Sequence, residues 1–237
     1  MQYHQKRMPS DILFLMFVID NYCSILYNSK KPNGADIKMT IACLDLEGVL
    51  VPEIWIAFAE ETGINELRIT TRDEPDYDKL MKYRINILKQ HGLGLNEIQS
   101  TIARVEPYEG ALKFLNELRS KTQTIILSDT FYQFAGPLMA KLGLPTLMCN
   151  DLIYAENGEI TGYKMRCSHS KLTSVRALQS IGFDTIAVGD SFNDLEMIKN
   201  SKAGFLFRST PAIIAANPEL KVFDDYNELL DAIVRAL

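Results

Sequence analysis

TIACLDLEGVLV, residues 40–51, is the stretch whose reading decides the fold. An apolar run leaves a polar segment at Thr40 and ends abruptly on Asp45-Leu46-Glu47-Gly48. Short apolar runs without strict alternation read as strands buried on both faces of a parallel sheet. In such a sheet ligands bind beyond the carboxyl ends of the strands. Two carboxylates and a glycine immediately past a strand therefore mark where chemistry is to be sought.

Outward from this stretch, runs of the same kind recur at 124–127 (TIIL), 146–149 (TLMC), 185–188 (TIAV) and 204–207 (GFLF). Helical patterns lie at 108–120, 132–142, 171–181 and 193–200. Parallel strands need crossovers of about a dozen residues, and these lengths suit them. The order predicts a doubly wound, Rossmann-like α/β fold. Between 50 and 107 only helical patterns occur, at 53–62, 77–91 and 95–105, which reads as an inserted helical cap over the carboxyl edge. Residues 152–154 and 160–163 flank Asn157-Gly158, a hairpin signal, and predict a β-hairpin flap. The expected organisation is an N-terminal extension at 1–38, a catalytic core at 39–52 and 107–237, and a cap at 53–106.

The 237 residues are 47% apolar with a net charge of −5, the balance of a globular chain with a full core. No basic stretch is interleaved with aromatics, which argues against a nucleic-acid partner. Cys23, Cys43, Cys149 and Cys167 show no metal or disulfide spacing, and His4, His91 and His169 do not cluster. The pattern suits a reduced cytoplasm and gives no zinc site. Cys43 and Cys149 lie in apolar runs and read as small buried hydrophobes. Residues 12–19 (ILFLMFVI) fall short of the roughly 20 apolar residues that span a bilayer. No stable membrane association is expected. Residues 1–38 read as a dispensable extension, with a weak membrane-contacting or dimerising helix as the other reading; a homodimer stays open.

Charged and polar residues recur at the ends of the strands: Asp45 and Glu47, then Ser128-Asp129-Thr130, then Gly189-Asp190-Ser191-Phe192-Asn193-Asp194, with Lys171 opening a helix. Any one of these is as well explained by a solvated loop. Their recurrence at one edge is not. The residue types suit phosphoryl transfer. Asp45 is placed to attack phosphorus and form an aspartyl-phosphate. Converging carboxylates require a hard cation, and Asp45, Asp190 and the backbone carbonyl of Glu47 make an oxygen site suited to Mg²⁺. Asp194 is read either as orienting the metal's waters or as holding Lys171. Ser128 and Lys171 would hold phosphoryl oxygens, and Glu47 would serve as acid and base.

The ordered set DLEGVLV, ILSDT, Lys171 and GDSFND resembles the four motifs of the haloacid dehalogenase-like phosphohydrolases, from Met39 to the carboxyl end. The helical insert is similar to the small cap of the phosphoserine phosphatase branch. DLEGVLVPEIWIAFAEETGI and PDYDKLMKYRINIL look closest to its bifunctional phosphoserine phosphatase/homoserine phosphotransferase type. The resemblance implies O-phospho-L-serine as substrate and L-homoserine as a further acceptor. It also implies that Glu53 meets the substrate ammonium and Arg84 its carboxylate. Alone, Glu53 would read as a helix N-terminal acid and Arg84 as a residue of a solvated face. The resemblance further implies that Asn193 either supports the groups that hold the phosphate or lies near the phosphate itself, and that the Asp129 amide helps bind it. The family usually has Asp two residues after the nucleophile; Glu47 and the sequence SDT both argue for the phosphotransferase type.

Trp55, Phe58 and Ile54 read as the inner face of the first cap helix, and His169 as a helix-start residue rather than a catalyst. Phe131-Tyr132 read equally as a site wall or as core. Three competitors remain at this stage: a phosphatase of another small monoester, a phospho-accepting receiver domain, and a degenerate binding protein. The cap and the Asp190…Asp194 pair argue against the receiver.

Overall fold

The computed structural model describes residues 38–237 except 71, 72 and 75. The reading of residues 1–38 as an extension falls, Lys38 apart, outside the described residues. Seven strands form one sheet in the order β4-β3-β2-β1-β5-β6-β7. They are β1 (Thr40–Leu44), β2 (Gln123–Phe131), β3 (Thr146–Tyr154), β4 (Ile160–Lys164), β5 (Asp184–Gly189), β6 (Ala203–Phe207) and β7 (Lys221–Phe223). Every pairing is parallel except β3 with β4. β1 lies between β2 and β5, so the strand order reverses there and opens the crevice where such sheets bind ligands.

The pleat sorts side chains into two cores. Ala42, Leu44, Ile126, Ile186, Val188, Phe205 and Phe207 face one side, with α4 (Ala111–Arg119), α5 (Tyr132–Lys141) and α9 (Tyr226–Ala236) packed there. Ile41, Cys43, Ile125, Leu127, Ala187 and Leu206 face the other, with α6 (Ser170–Ser180), α7 (Leu195–Lys199) and α8 (Pro211–Ala216). Both faces are covered, which is why the strands read as unbroken apolar runs.

Between β1 and β2 the chain forms α1 (Ile54–Thr62), a 3₁₀ turn at Asn65–Arg68, α2 (Tyr77–Gln90) and α3 (Leu95–Ile102). Ile54, Trp55 and Phe58 are buried, and the Trp55 ring meets Phe134 of α5 edge-on at 5.3 Å. The predicted hairpin is present and tied to these helices. Tyr163 Oη donates to Asp78 Oδ1 (2.8 Å), Lys89 pairs with Glu159 (2.7 Å), and the Leu95 amide donates to the Gly158 carbonyl (2.8 Å). Gly158 has φ +84, the left-handed geometry that the Asn-Gly signal anticipates.

Several boundaries differ from expectation. The runs at 146–149 and 152–154 are one strand, β3, which changes partners midway: Thr146–Met148 and, after a register shift, Asn150 pair with β2, and Asp151 onward pairs with β4. The polar Asn150 between them is buried yet satisfied, its Nδ2 donating to the Asp129 carbonyl and its Oδ1 accepting from the Arg166 amide, both at 2.9 Å. Cys149 is half-buried rather than buried, because it lies where β3 leaves the double-covered sheet. The expected helix at 193–200 is a 3₁₀ turn (Phe192–Asp194) followed by the short α7. Phe131 is core, whereas its neighbour Tyr132 is 65% exposed. β7, α8 and α9 were not anticipated.

Phe134 packs between Trp55 and Phe131, so Phe134→Ala is expected to cost about 3–5 kcal/mol of unfolding free energy. Tyr132→Ala on the same helix should stay within about 0.5 kcal/mol. Chemical denaturation of both variants checks the pair.

Candidate active site

Asp45 follows the last residue of β1 and is 4% exposed. Its amide donates to the Val188 carbonyl of β5 (2.9 Å), which fixes the backbone at the switch point. Its Oδ1 accepts from the Leu46 amide (2.7 Å) and from Lys171 Nζ (2.9 Å). Lys171, near the start of α6, reaches a second carboxylate, Asp194 Oδ1, at 2.6 Å. Asp194 Oδ2 accepts from the amides of Asp190 (3.1 Å) and Ser191 (3.0 Å) and from the Ser191 hydroxyl (3.0 Å). Both oxygens of Asp194 thus have protein donors. Of its two sequence readings, the geometry favours holding Lys171.

Two glycines allow this convergence. A Cβ on Gly48, at φ +77, would lie 2.3 Å from Asp190 Cγ. One on Gly189 would lie 2.3 Å from Asp194 Cβ. Neither approach tolerates any side chain.

The charges do not balance. Burial opposes the Lys171 ammonium, but Asp194 and Asp45 outweigh it and hold its pKa above the ordinary lysine value. Asp45 is pushed well above the usual carboxylate range by burial and then by Asp194, with Lys171 opposing. Burial, followed by the charges of Asp194 and Glu53, pushes Asp190 up to about 7. Asp45, Asp190 and Asp194 each bring a carboxylate oxygen within 4.8 Å of the others, against one ammonium. A hard, oxygen-binding divalent cation fits this donor set and this surplus of negative charge.

Ser128 is buried at the end of β2, and its Oγ accepts from the Thr130 amide (3.1 Å). The Asp129 carboxylate accepts from the Ser170 hydroxyl and, at 3.3 Å, from Asn193 Nδ2. Asn193 and Asp129 therefore meet, as do the segments carrying Ser128 and Lys171. Glu47 has its pKa raised well above the ordinary carboxylate range by burial and by the adjacent Glu53 carboxyl, with Lys171 and Arg84 pulling down. Glu53 is the residue before α1, and its side chain makes no capping hydrogen bond, which weakens the reading of it as a helix-end device.

Arg84 is 6% exposed, so it does not belong to a solvated face. Its Nη2 donates to the Ile69 carbonyl (2.7 Å), and its guanidinium lies 4.4 Å from the Trp55 ring centroid. Its Nε is buried without a hydrogen-bond partner among the described residues. Burial lowers its pKa to about 10, with Tyr77, Glu47 and Glu53 pulling the other way. An incompletely satisfied guanidinium facing two acids of the site can receive a carboxylate. His169 precedes α6 with φ 47, and its exposed ring lies 3.2 Å from Glu196.

Sequence reading missed Ser170 and Asn150, which hold the Asp129 segment. A polar residue interrupting the apolar run of β3 was the available signal for Asn150.

Residues 39–202 match the model of the haloacid dehalogenase-like hydrolases. The chain belongs to that family. It is 50% identical over 198 residues to phosphoserine phosphatase ThrH of Pseudomonas aeruginosa, covering 84% of this chain and 97% of that protein. A phosphoserine phosphatase of Methanocaldococcus jannaschii is 26% identical over 190 residues, covering 74% of this chain and 89% of that protein. Among solved structures, a substrate-bound phosphoserine phosphatase complex aligns with a TM-score of 0.68 at 22% identity, covering 83% of this chain and 99% of the other. A phospho-aspartyl intermediate analogue of phosphoserine phosphatase aligns at 0.65 and 23%, covering 82% and 99%. These two likenesses extend the family assignment to the fold. Members of this hydrolase family generally use a divalent metal, in keeping with the donor set of Asp45 and Asp190. Among the described residues no helix is long and apolar enough to cross a membrane.

Replacing Lys171 would leave Asp45 and Asp194 buried without their cation. Lys171→Met is expected to cost about 3–5 kcal/mol in metal-free buffer, and adding Asp194→Asn should restore part of it. Denaturant titration of the single and double variants provides the check.

Proposed function

We propose that the protein is a Mg²⁺-dependent phosphoserine phosphatase that works through a phospho-aspartate on Asp45 and also passes phosphate to L-homoserine. The observation that carries this reading is the 50% identity to a phosphoserine phosphatase along 97% of that protein's length. It is supported by the convergence of Asp45, Lys171, Asp190 and Asp194 at the carboxyl edge of the sheet.

Asp45, Asp190 and the Glu47 carbonyl would hold Mg²⁺, with Asp194 behind them; the ion supplies positive charge against the phosphoryl oxygens. Among the described residues, the hydrogen bond and the ion pair of the Asp45 carboxylate both fall on Oδ1, which leaves Oδ2 to attack phosphorus as the bond to the serine oxygen breaks. Lys171, Ser128 and the Asp129 amide hold the phosphoryl oxygens, where charge builds in the transition state. Burial and the Glu53 carboxyl raise the Glu47 pKa and so favour its protonated form, which can give its proton to the departing serine alkoxide. The resulting carboxylate then takes a proton from water, or from an alcohol acceptor, as that oxygen attacks the phospho-aspartate. Glu53 meets the substrate ammonium and Arg84 its carboxylate. Asn193, beside Asp129, borders the phosphate. The helices of residues 53–106 act as the cap that excludes bulk water. Cys43, Cys149 and Cys167 are free thiols, which supports a reducing, cytoplasmic setting.

Phosphate release from O-phospho-L-serine with Mg²⁺ is expected for the wild type and absent for Asp45→Asn, with L-homoserine diverting phosphate into O-phosphohomoserine. If phosphoserine is inert while an aryl phosphate is cleaved only with Asp45 intact, the catalytic core stands. Glu53 and Arg84 then lose their assigned roles. Magnesium at about 100 times its dissociation constant should stabilise the fold by about 2.7 kcal/mol, and Asp190→Asn should remove that gain, read as the shift in Tm.

A further inference from the structure

The loop after β1, residues 45–51, carries Asp45, Glu47 and Gly48 and leads into Glu53. Internally it is closed by the amides of Gly48, to the Val51 carbonyl (2.8 Å), and of Leu50 and Val51, both to the Leu46 carbonyl (2.8 and 3.1 Å). Two of its carbonyls accept from outside. Leu50 takes the Tyr108 amide (3.0 Å), and Val49 takes the Tyr226 hydroxyl at 2.5 Å, from 177 residues further along the chain.

The Tyr226 ring has little freedom to choose another partner. It is stacked between Phe114 (5.0 Å between centroids) and Phe207 (4.7 Å), with interplanar angles of 26° and 29°. The Arg208 guanidinium lies 5.0 Å from its centroid. Arg208 is itself held at φ 50, its amide donating to the Phe223 carbonyl (2.9 Å) and its Nε to the Asp224 carbonyl (3.1 Å). On another side Gly110, at φ +84, comes so close that a Cβ there would stand 3.3 Å from the ring. Burial holds the phenol at about 12, with Arg208 opposing, so the hydroxyl remains a donor at any ordinary assay pH.

Packing alone does not account for a tyrosine. A phenylalanine would fill the same stack, whereas the hydroxyl is a buried polar group that must be partnered. Its partner is a backbone atom two residues beyond Glu47. We propose that Tyr226 is a positioning residue for phosphoryl transfer. Its hydroxyl fixes the Val49 carbonyl, and through it the placement of Glu47 and Gly48 relative to Asp45. The carboxyl-terminal helix, remote from the substrate in sequence, thereby sets the geometry of the nucleophile loop. This rests on the reading of Asp45 as nucleophile and of Glu47 as acid and base, but not on the identity of the substrate.

The test uses the full chain with Mg²⁺ and phenyl phosphate, whose poorer leaving group calls on the acid and which carries no ammonium or carboxylate for Glu53 or Arg84 to meet. Rates are expressed per folded molecule, well below each variant's Tm. Tyr226→Phe is expected to lower kcat about 5-fold with KM changed less than about 2-fold, since the lost hydrogen bond acts on the chemical step. Ile233→Val, on the same helix but away from the loop, should lower Tm while keeping wild-type kcat. A Tyr226→Phe variant with wild-type kcat and only a lowered Tm overturns the proposal, because the hydroxyl then serves stability alone. Asp45→Asn, run in parallel, separates the two layers of the argument. If it is inactive while Tyr226→Phe is normal, only the Tyr226 assignment falls. Should Asp45→Asn retain activity, the reading of the loop falls and the Tyr226 assignment falls with it.

Discussion

A single ammonium, that of Lys171, stands between two buried carboxylates, and the remainder of the site is arranged around that imbalance. Asp45 at 2.9 Å and Asp194 at 2.6 Å keep the lysine charged despite its burial. Isolated burial of such groups would cost several kcal/mol per ion, so the cluster persists only because each member answers another. One positive charge cannot answer three carboxylates. The surplus, expressed in the raised pKa of Asp45 and Asp190, is the electrostatic demand that a divalent cation and a phosphoryl group held by Lys171 would meet together. The same demand explains the glycines. Gly48 and Gly189 are fixed by carboxylate atoms 2.3 Å from where a Cβ would stand, so the backbone has yielded its side chains to let like charges converge.

The converging groups come from separate segments, and the sheet is what brings them together. Parallel strands β1, β2 and β5 end at one edge, so Asp45, Ser128 and Asp190 need no long-range design beyond the register of the ladder. Hydrogen bonds between segments then fix the details. Asn150 ties β3 to the Asp129 carbonyl, Ser170 ties the start of α6 to the Asp129 carboxylate, and Tyr226 ties the carboxyl-terminal helix to the loop after β1. Each tie spends a buried polar group on a backbone or side-chain atom at the rim of the site. Rigidity is thereby concentrated where a small misplacement would cost most in rate.

The fold was legible because both faces of the sheet are covered: runs such as TIACL and TIAV carry no polar interruption to obscure them. The hairpin was legible because Asn-Gly at its tip has a turn chemistry of its own. β3 was misread as two pieces because Asn150 looks like a break, whereas its amide is satisfied from both neighbouring segments. β7 is three residues long, too short to leave a pattern. α9 carries a signal in sequence, an aspartate ahead of an amphipathic run, and in the structure Asp225 accepts from the amides of Asn227 and Glu228. In the site, residues at strand ends could be picked out from sequence. Arg84 and Glu53 were legible only through the family resemblance, since by themselves an arginine on a helix and an acid before one are ordinary surface features. Burial, the Trp55 ring and the shared field of Glu47 now set them apart physically.

That shared field bears on why residue 47 is a glutamate. Glu47 is influenced, after burial, most by Glu53, with Lys171 and Arg84 opposing. Its carboxyl thus lies in the shared field of Lys171 in the core and of Glu53 and Arg84, before α1 and on α2. An aspartate, one methylene shorter, would keep the acid closer to the backbone of the nucleophile loop and farther from Glu53. With glutamate, a cation arriving beside Glu53 would offset the part of the upward pKa shift of Glu47 that the Glu53 charge adds to the effect of burial. Binding of an ammonium group would therefore make the acid readier to give up its proton as the leaving alkoxide forms. On the proposed function, recognition of an ammonium group and proton transfer by Glu47 would be coupled through two neighbouring carboxyls, an arrangement that would favour an amino-acid phosphate over a phosphate monoester without an ammonium group.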